Sequence, residues 1–227
     1  MKLNRSEKDA ILIHGAFTLL CGIFLLVSRG VPIGQRLLFL VAVYNIGMPA
    51  WGFWRKDKEW INLWLFTFVL SLFQVFPDWF LSAQIGILVF PEDGCFKIGT
   101  VSGYMAGLWT IPLFIILFTG DRVNDQASKP AAYSCVAVLS LLIFGGSEAF
   151  LWLLPSWYAQ NVAMIGHVAV YILIPEIILG VSAYACFQAV RTSPHWVKIP
   201  AAFLVMQLYL GSAAFFYFLV EKIILSP

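Results

Sequence analysis

The sequence predicts an all-α membrane bundle of seven transmembrane helices, and three observations lead to that fold class. Of the 227 residues, 61% are hydrophobic and only 11% are charged, whereas about 25% of the residues in an average soluble domain carry a charge. Seven stretches contain the roughly 20 mainly apolar residues that one bilayer crossing requires. The connections between them are too short to form a soluble domain, so we expect a single transmembrane domain over residues 1–227.

The predicted spans follow one another along the whole chain. Their approximate bounds are 9–27, 37–54, 61–84, 99–118, 133–154, 163–187 and 199–220. The N-terminal residues carry both charge signs, and no small-residue cleavage site precedes the second span. The first stretch is therefore interpreted as a retained helix and not as a removed signal peptide. Any chemistry of this chain has to take place inside the membrane or at its surface.

The distribution of lysine and arginine predicts the orientation of the chain. Ten of these residues fall on the side of the N-terminus and four on the other side. Because positive residues are retained on the cytoplasmic face, we expect a cytoplasmic N-terminus and a C-terminus on the opposite side. The net charge of +2 reflects this bias. It indicates contact with membrane lipids and gives no sign of a nucleic-acid partner.

Ionisable residues inside the spans are the strongest functional signal. Placing one such residue at the centre of a membrane helix costs about 2.5–3.5 kcal/mol of insertion free energy, so its presence calls for a structural or functional explanation. The candidates are Asp78, Glu148, His167 and Glu176. Asp78 and Glu148 lie at similar distances from the starts of spans three and five, which begin on the same side. At about 1.5 Å per residue they reach nearly the same depth, so we predict that they line a shared cavity.

A weak internal repeat supports a site at this depth. Gly103 and Pro112 in span four have the same spacing as Gly166 and Pro175 in span six, and each pair follows a helix with one acid. Spans three and four would then correspond to spans five and six in parallel orientation, with a site at their junction. Proline inside a helix removes a backbone hydrogen bond, so both prolines are expected to open space between helices.

Aromatic side chains near these acids are the candidate substrate contacts. They make up 16% of the chain, and a desolvated aromatic face attracts a cation by about 2 kcal/mol or more. A carbocation reaction requires this combination, because an acid starts it and π-surfaces hold the positive charge. The candidate binding residues are Trp79, Tyr104, Trp109, Trp152 and Tyr171.

Each candidate also has a structural interpretation. Neutral Asp78 or Glu148 could hold helices together through hydrogen bonds, and His167 could be a packing residue. Glu176 lies roughly opposite His167 on a helix, so both face one cavity only if the Pro175 kink re-aims one of them.

The Pro-Asp-Trp and Ser-Glu segments around Asp78 and Glu148, the glycine-to-proline helices and the small all-membrane chain resemble small integral-membrane isoprenoid-modifying enzymes. The families that it resembles in style are carotenoid hydratases, heterodimer-type lycopene cyclases and membrane meroterpenoid cyclases. The resemblance implies that Asp78 and Glu148 protonate an alkene or epoxide, while the partner carboxyl or His167 accepts the terminating proton. The Pro-Glu-Glu pattern of lycopene cyclase domains is absent, and Pro175-Glu176 matches it only in part.

We therefore expect acid-initiated cyclisation or hydration of a lipid-like isoprenoid, an isomerase or lyase activity of the terpene cyclase type. It requires no metal and no organic cofactor. Without an Asp-x-x-x-Asp pair for magnesium diphosphate, ionisation-type terpene synthesis is disfavoured, and the scattered cysteines predict neither disulfides nor a zinc site. The alternatives are a non-enzymatic binder or proton-coupled transporter that uses the same acids, and a structural membrane subunit.

Overall fold

The apolar stretches of the sequence form long helices, as predicted. The computed structural model describes residues 3–225. Within these residues, seven helices are long and apolar enough to cross a membrane, which confirms the predicted all-α bundle. They are Arg5–Val27, Ile33–Arg55, Lys58–Ile85, Met105–Gln126, Lys129–Phe150, Val170–Val190 and His195–Ile224.

Several spans are built from more than one helical element. The α-helices are α1 Arg5–Val27, α2 Ile33–Arg55, α3 Lys58–Trp79, α4 Met105–Leu108, α5 Thr110–Gln126, α6 Lys129–Leu151, α7 Leu173–Val190 and α8 Lys198–Tyr217. Turns of π-helix, Phe80–Ile85 and Phe218–Ile224, extend α3 and α8. Short 3₁₀ turns, Val170–Ile172 and His195–Val197, precede α7 and α8.

Polar side chains cap several helices at the end of the bundle where α1 begins. The side chain of Asn4 accepts a hydrogen bond from the backbone N–H of Glu7, whose carboxylate accepts one from the Asn4 backbone. Asp57 caps α3 and Ser128 caps α6 in the same way. Such residues satisfy backbone N–H groups that have no partner within the helix. The polar breaks in the sequence therefore mark where these helices begin.

Ion pairs also concentrate at this end of the bundle. Asp9 of α1 pairs with Arg55 of α2. Glu59 of α3 pairs with Arg191, just beyond α7, at 3.0 Å. The charged residues thus form a polar boundary that joins neighbouring helices.

We expect this charged end to face the cytoplasm, because positive residues are retained there. A reporter fused after Pro227 should then read as non-cytoplasmic, and one fused before Met1 should read as cytoplasmic. A cytoplasmic signal from the C-terminal fusion would contradict the predicted topology.

Two long connections close the opposite end of the bundle, and we call residues 86–104 and 152–172 together the cap. Strand β1, Leu88–Val89, pairs antiparallel with β4, Tyr158–Ala159, and so joins the two connections. Each connection also contains a hairpin. The hairpin strands are β2 Lys97–Ile98 with β3 Val101–Ser102, and β5 Met164–Ile165 with β6 Val168–Ala169.

The two hairpins correct the predicted starts of spans four and six. Helix begins at Met105 and not at 99, and at Val170 and not at 163. Gly99 and Gly166 occupy the hairpin turns, each with φ of +64°, a left-handed conformation that glycine adopts without strain. A short apolar run does not by itself distinguish a strand from a buried helix. The prediction was therefore wrong for these residues.

The hairpins also change the register of the internal repeat. Gly166 lies in a hairpin turn, so its structural counterpart is Gly99. Gly103 instead follows β3, where its N–H donates to the carbonyl of Phe96 at 2.8 Å. The pairing of Gly103 with Gly166 was wrong, although the order of acid-bearing helix, hairpin and second helix occurs twice.

The helices of spans four and six are interrupted just before Pro112 and Pro175. Proline has no backbone N–H, so Pro112 cannot bond to the Leu108 carbonyl, four residues earlier. Span four is broken at Trp109, between α4 and α5, and the 3₁₀ turn Val170–Ile172 precedes α7 and Pro175. Both interruptions lie where the sequence analysis expected the prolines to open space between helices.

Helices α6 and α7 approach closely where Gly180 faces Ser140. A Cβ atom at Gly180 would lie 2.9 Å from the Ser140 Cβ, and both residues are buried. The Ser140 hydroxyl already donates to the Val136 carbonyl at 2.8 Å. This contact sets the spacing between the two helices that carry Glu148 and Glu176.

A larger residue at Gly180 should destabilise the bundle. We expect Gly180→Val to lower the free energy of unfolding by about 1–3 kcal/mol, because overpacking forces the helices apart. Thermal unfolding of the detergent-solubilised protein measures the effect. Gly211→Val is the matched control, since no atom lies within 4 Å of a Cβ at that position. Equal melting temperatures for the two variants would contradict the close packing.

Candidate functional site

A cavity of about 250 Å³ lies inside the bundle beneath the cap. Residues from α3 to α8 and from both cap connections line it, and we call it the acid cavity. Its walls are mainly apolar. The aliphatic and phenylalanine residues include Leu81, Leu88, Phe90, Ile111, Ile115, Ile143, Phe144 and Ile172.

Three carboxylic acids line the acid cavity: Asp78, Glu148 and Glu176. The structure thus places Asp78 and Glu148 on one cavity, as their matched depth predicted. Among the residues of 3–225 that line it, none is lysine, arginine or histidine. Because an ionised carboxylate buried without a partner costs several kcal/mol, three charges at once would be strongly unfavourable. The arrangement favours acids that keep their protons.

The three acids differ in their hydrogen bonds. The indole Nε1 of Trp109 donates to Oδ2 of Asp78 at 3.2 Å. The backbone N–H of Ala169 donates to Oε2 of Glu148 at 3.3 Å. Oε2 of Glu176 is buried and has no hydrogen-bond partner among the described residues. Asp78 and Glu148 are therefore each oriented through one oxygen, whereas no hydrogen bond orients Oε2 of Glu176.

The positions of the glutamates along their helices also differ. Glu148 lies in the last turn of α6, and Glu176 lies in the first turn of α7. The first turn of a helix carries partial positive charge and the last turn partial negative charge. A negative carboxylate is therefore more favourable at Glu176 than at Glu148. The helix dipole thus favours Glu148 as proton donor and Glu176 as acceptor, whereas the burial of Glu176 without a hydrogen bond acts in the opposite direction.

An aromatic wall borders the acids. Of the candidate substrate contacts, Trp109 and Tyr171 line the acid cavity. Trp109 packs against Phe144, with ring centroids 5.4 Å apart, and against Tyr209 at 6.0 Å. The aromatic surface is thus continuous from α5 to α6 and α8, on the side of the cavity where Trp109 contacts Asp78.

The sequence analysis missed Tyr209. This residue of α8 is almost fully buried and lines the acid cavity. Span seven carries no central acid, so nothing in its sequence connected it to spans three to six. The available signal was a phenol in the middle of a mainly apolar stretch.

Trp79 and Tyr104 do not line the acid cavity. Trp79 follows Asp78 directly, so its side chain points about 100° away around the helix. Its indole lies close to Gly99 of the cap and is 39% exposed. Tyr104 is fully buried, and its hydroxyl donates to the Ser156 carbonyl at 3.1 Å. Tyr104 therefore ties the two cap connections together, and neither residue contributes to the wall of the acid cavity.

Trp152 and His167 also lie outside the acid cavity. Helix α6 ends one residue before Trp152, and His167 lies in the turn between β5 and β6. Their rings stack with centroids 4.2 Å apart and an interplanar angle of 21°. They line a second cavity, which also contacts Glu148. Glu176 and His167 thus face different cavities, although not for the reason expected: His167 lies in the hairpin turn and not on the helix of Glu176.

The acids are not arranged as a metal cluster. Within residues 3–225, no group of three or more histidine, cysteine, aspartate or glutamate side chains is placed to hold a metal ion.

Comparison with known proteins gives one relationship. No curated protein and no solved structure matches the chain. A family model described as a domain of unknown function (DUF6989) matches residues 75–220. This segment contains every residue that lines the acid cavity, from Asp78 to Tyr209, and covers more than half of the chain. The chain therefore belongs to the DUF6989 family.

Proposed function

We propose that the acid cavity protonates an unsaturated, lipid-like isoprenoid and so starts its cyclisation or hydration. One observation carries the proposal: three carboxylic acids converge on an apolar, aromatic-lined cavity whose described lining contains no cationic side chain. Acids that keep their protons in such surroundings can act as general acids. The faces of the aromatic side chains can stabilise the positive charge of the resulting carbocation.

The first step is transfer of a proton from Glu148 or Asp78 to an alkene carbon. The two π electrons form the new C–H bond, and the neighbouring carbon becomes a cation. In cyclisation, a second double bond of the same substrate attacks this carbon and moves the cation along the chain. In hydration, a water molecule attacks instead. Trp109, Tyr171 and Tyr209 face the space in which the cation forms.

The last step returns a proton to the protein. A carboxylate removes a proton from the carbon next to the final cation, and the C–H electrons form a new double bond. In hydration the same group removes a proton from the added water. Glu176 suits this role, because it can pass its own proton to the carboxylate left on the donor, and the first turn of α7 then favours its negative charge. Proton exchange with solvent then returns each carboxyl group to its starting protonation state for the next turnover.

Product formation in D₂O tests this proposal. The purified protein in lipid nanodiscs is incubated with geraniol, farnesol, geranylgeraniol or their terminal epoxides. We expect a cyclic or hydrated product that carries a single non-exchangeable deuterium when the alkene is protonated, because the transferred proton comes from an exchanged carboxyl group. Epoxide opening gives the cyclic product with an exchangeable label only. Unchanged substrate throughout the panel would contradict the enzymatic proposal.

A second candidate function is transport of protons or of a cationic molecule. The same observation favours it, since three acids in one apolar cavity without a described cation beside them would attract a positively charged cargo. Reconstituted vesicles distinguish the two functions. Saturable uptake without product formation would favour transport, and product formation without uptake would favour the enzyme.

A further inference from the structure

The second cavity lies beside the acid cavity, and we call it the vestibule. It has a volume of about 400 Å³. Glu148, Trp157 and Ala159 line both cavities and so form the boundary between them. The remaining walls come from the end of span five and from the cap connection that follows it.

The vestibule opens at the surface of the cap. Trp152 and Tyr158 on its walls are 47% and 48% exposed, and His167 is also exposed. The face of the imidazole packs against the Trp152 indole, so the ring edge, which carries both nitrogens, points away from the indole. Tryptophan and tyrosine favour the membrane interface. The vestibule therefore combines apolar aromatic surface with a group that forms hydrogen bonds at the boundary of the membrane.

The size of the acid cavity limits what it can hold. A cavity of about 150 Å³ in another protein binds one benzene molecule. By that scale, about 250 Å³ holds roughly ten carbon atoms, or two isoprene units. A longer isoprenoid must extend out of the acid cavity, and the vestibule is continuous with it at Glu148 and Trp157.

We infer that the vestibule binds the oxygenated end of an isoprenoid alcohol while the terminal isoprene units occupy the acid cavity. The inference rests on the proposed function and adds the orientation of the substrate. The apolar end meets the acids and the aromatic wall, where protonation of its double bond is productive. The hydroxyl group reaches His167, which can donate or accept a hydrogen bond. Trp157 lies beside the chain where it passes from one cavity to the other.

Photoaffinity labelling with two farnesol probes tests this orientation. One probe carries a diazirine on its terminal isoprene unit and the other carries it next to the hydroxyl group. The full-length protein in nanodiscs is irradiated with each probe, with and without excess farnesol, and labelled peptides are identified by mass spectrometry. We expect the terminal probe to label residues 105–112 or 143–148, and the hydroxyl-end probe to label residues 152–167. Excess farnesol should suppress both signals.

A variant pair tests the role of the imidazole. His167→Ala should weaken competition by farnesol about fivefold, the scale of one hydrogen bond, and leave competition by the corresponding hydrocarbon, farnesene, unchanged. His195→Ala is the control, because His195 lies just before α8 at the opposite end of the bundle. Equal farnesol competition in the two variants would overturn the assignment of His167.

The outcomes separate the inference from the proposed function. If the hydroxyl-end probe labels the acid cavity and excess farnesol suppresses that labelling, the proposed substrate orientation is overturned, whereas isoprenoid binding stands. Labelling of lipid-facing α1 by the hydroxyl-end probe, with the terminal probe in the acid cavity, would overturn the vestibule alone. No suppressible labelling by either probe would overturn both proposals.

Discussion

Asp78→Asn and Glu148→Gln should each lower turnover of an isoprenoid substrate by about 100-fold or more, the scale of losing general acid catalysis. An amide has nearly the volume of a carboxylic acid and still forms hydrogen bonds. The Trp109 indole and the Ala169 N–H can each still donate to the remaining carbonyl oxygen. The amide cannot deliver a proton. Turnover measured by product formation in nanodiscs, together with the melting temperature, checks both variants.

The structural interpretation predicts a different result for the same variants. If Asp78 and Glu148 only hold helices together, their amides should preserve function, because an interhelical hydrogen bond in a membrane is worth roughly 0.6 kcal/mol on average. Near-normal turnover in both variants would refute the catalytic assignment. Loss of folding in both would favour the structural role.

Glu221→Gln is the matched control for these variants. The Glu221 carboxylate accepts a hydrogen bond from the Ala163 N–H at 2.9 Å, much as Glu148 accepts one from Ala169 in the same cap connection. Glu221 does not line the acid cavity. We expect Glu221→Gln to keep turnover within about twofold, since the glutamine oxygen can still accept the Ala163 N–H and the side chain lies outside the acid cavity. Glu176→Gln should resemble the cavity variants, because the terminating proton then has no acceptor there.

The acids were predictable from sequence because a charge in lipid is costly wherever the helix packs. The helical rise per residue and the order of the spans were enough to predict that Asp78 and Glu148 lie at the same depth. Glu176 was recognised as a candidate, but its place on the cavity depended on where α7 begins. That start follows from the hairpin before it, which the apolar pattern did not reveal.

The cap was not predictable because irregular side-chain hydrogen bonds within one connection, and a long-range bond to the other, hold it together. The buried carboxylate of Asp93 accepts hydrogen bonds from the Ser102 hydroxyl at 2.7 Å and from the Cys95 N–H at 2.9 Å. Lys97 donates to the Pro91 carbonyl at 2.6 Å. Tyr104 then reaches the other connection at Ser156. None of these pairs leaves a periodic pattern, so Tyr104 and His167 were assigned to a site that they do not line.

The last prediction concerns the aromatic face of Trp109, which contacts Asp78 and lines the acid cavity. We expect Trp109→Leu to lower kcat about 30-fold relative to Trp109→Phe, because a desolvated cation gains about 2 kcal/mol from an aromatic face and each 1.36 kcal/mol is about tenfold in rate. Both variants lose the indole N–H that donates a hydrogen bond to Asp78, so the ratio of their kcat values isolates the effect of the aromatic face. The cation exists only after protonation, and the effect should therefore fall on kcat and leave KM nearly unchanged.

Trp79 provides the comparison that decides this assignment. It is adjacent to Asp78 in sequence, yet it packs near Gly99 outside the acid cavity. Trp79→Phe and Trp79→Leu should therefore have similar kcat values, within about threefold, because neither changes a surface that faces the cation. A difference between the Trp79 variants as large as that between the Trp109 variants would show that general packing, and not the aromatic wall of the cavity, controls the rate. Equal kcat values for Trp109→Phe and Trp109→Leu would mean that no cation forms beside this wall.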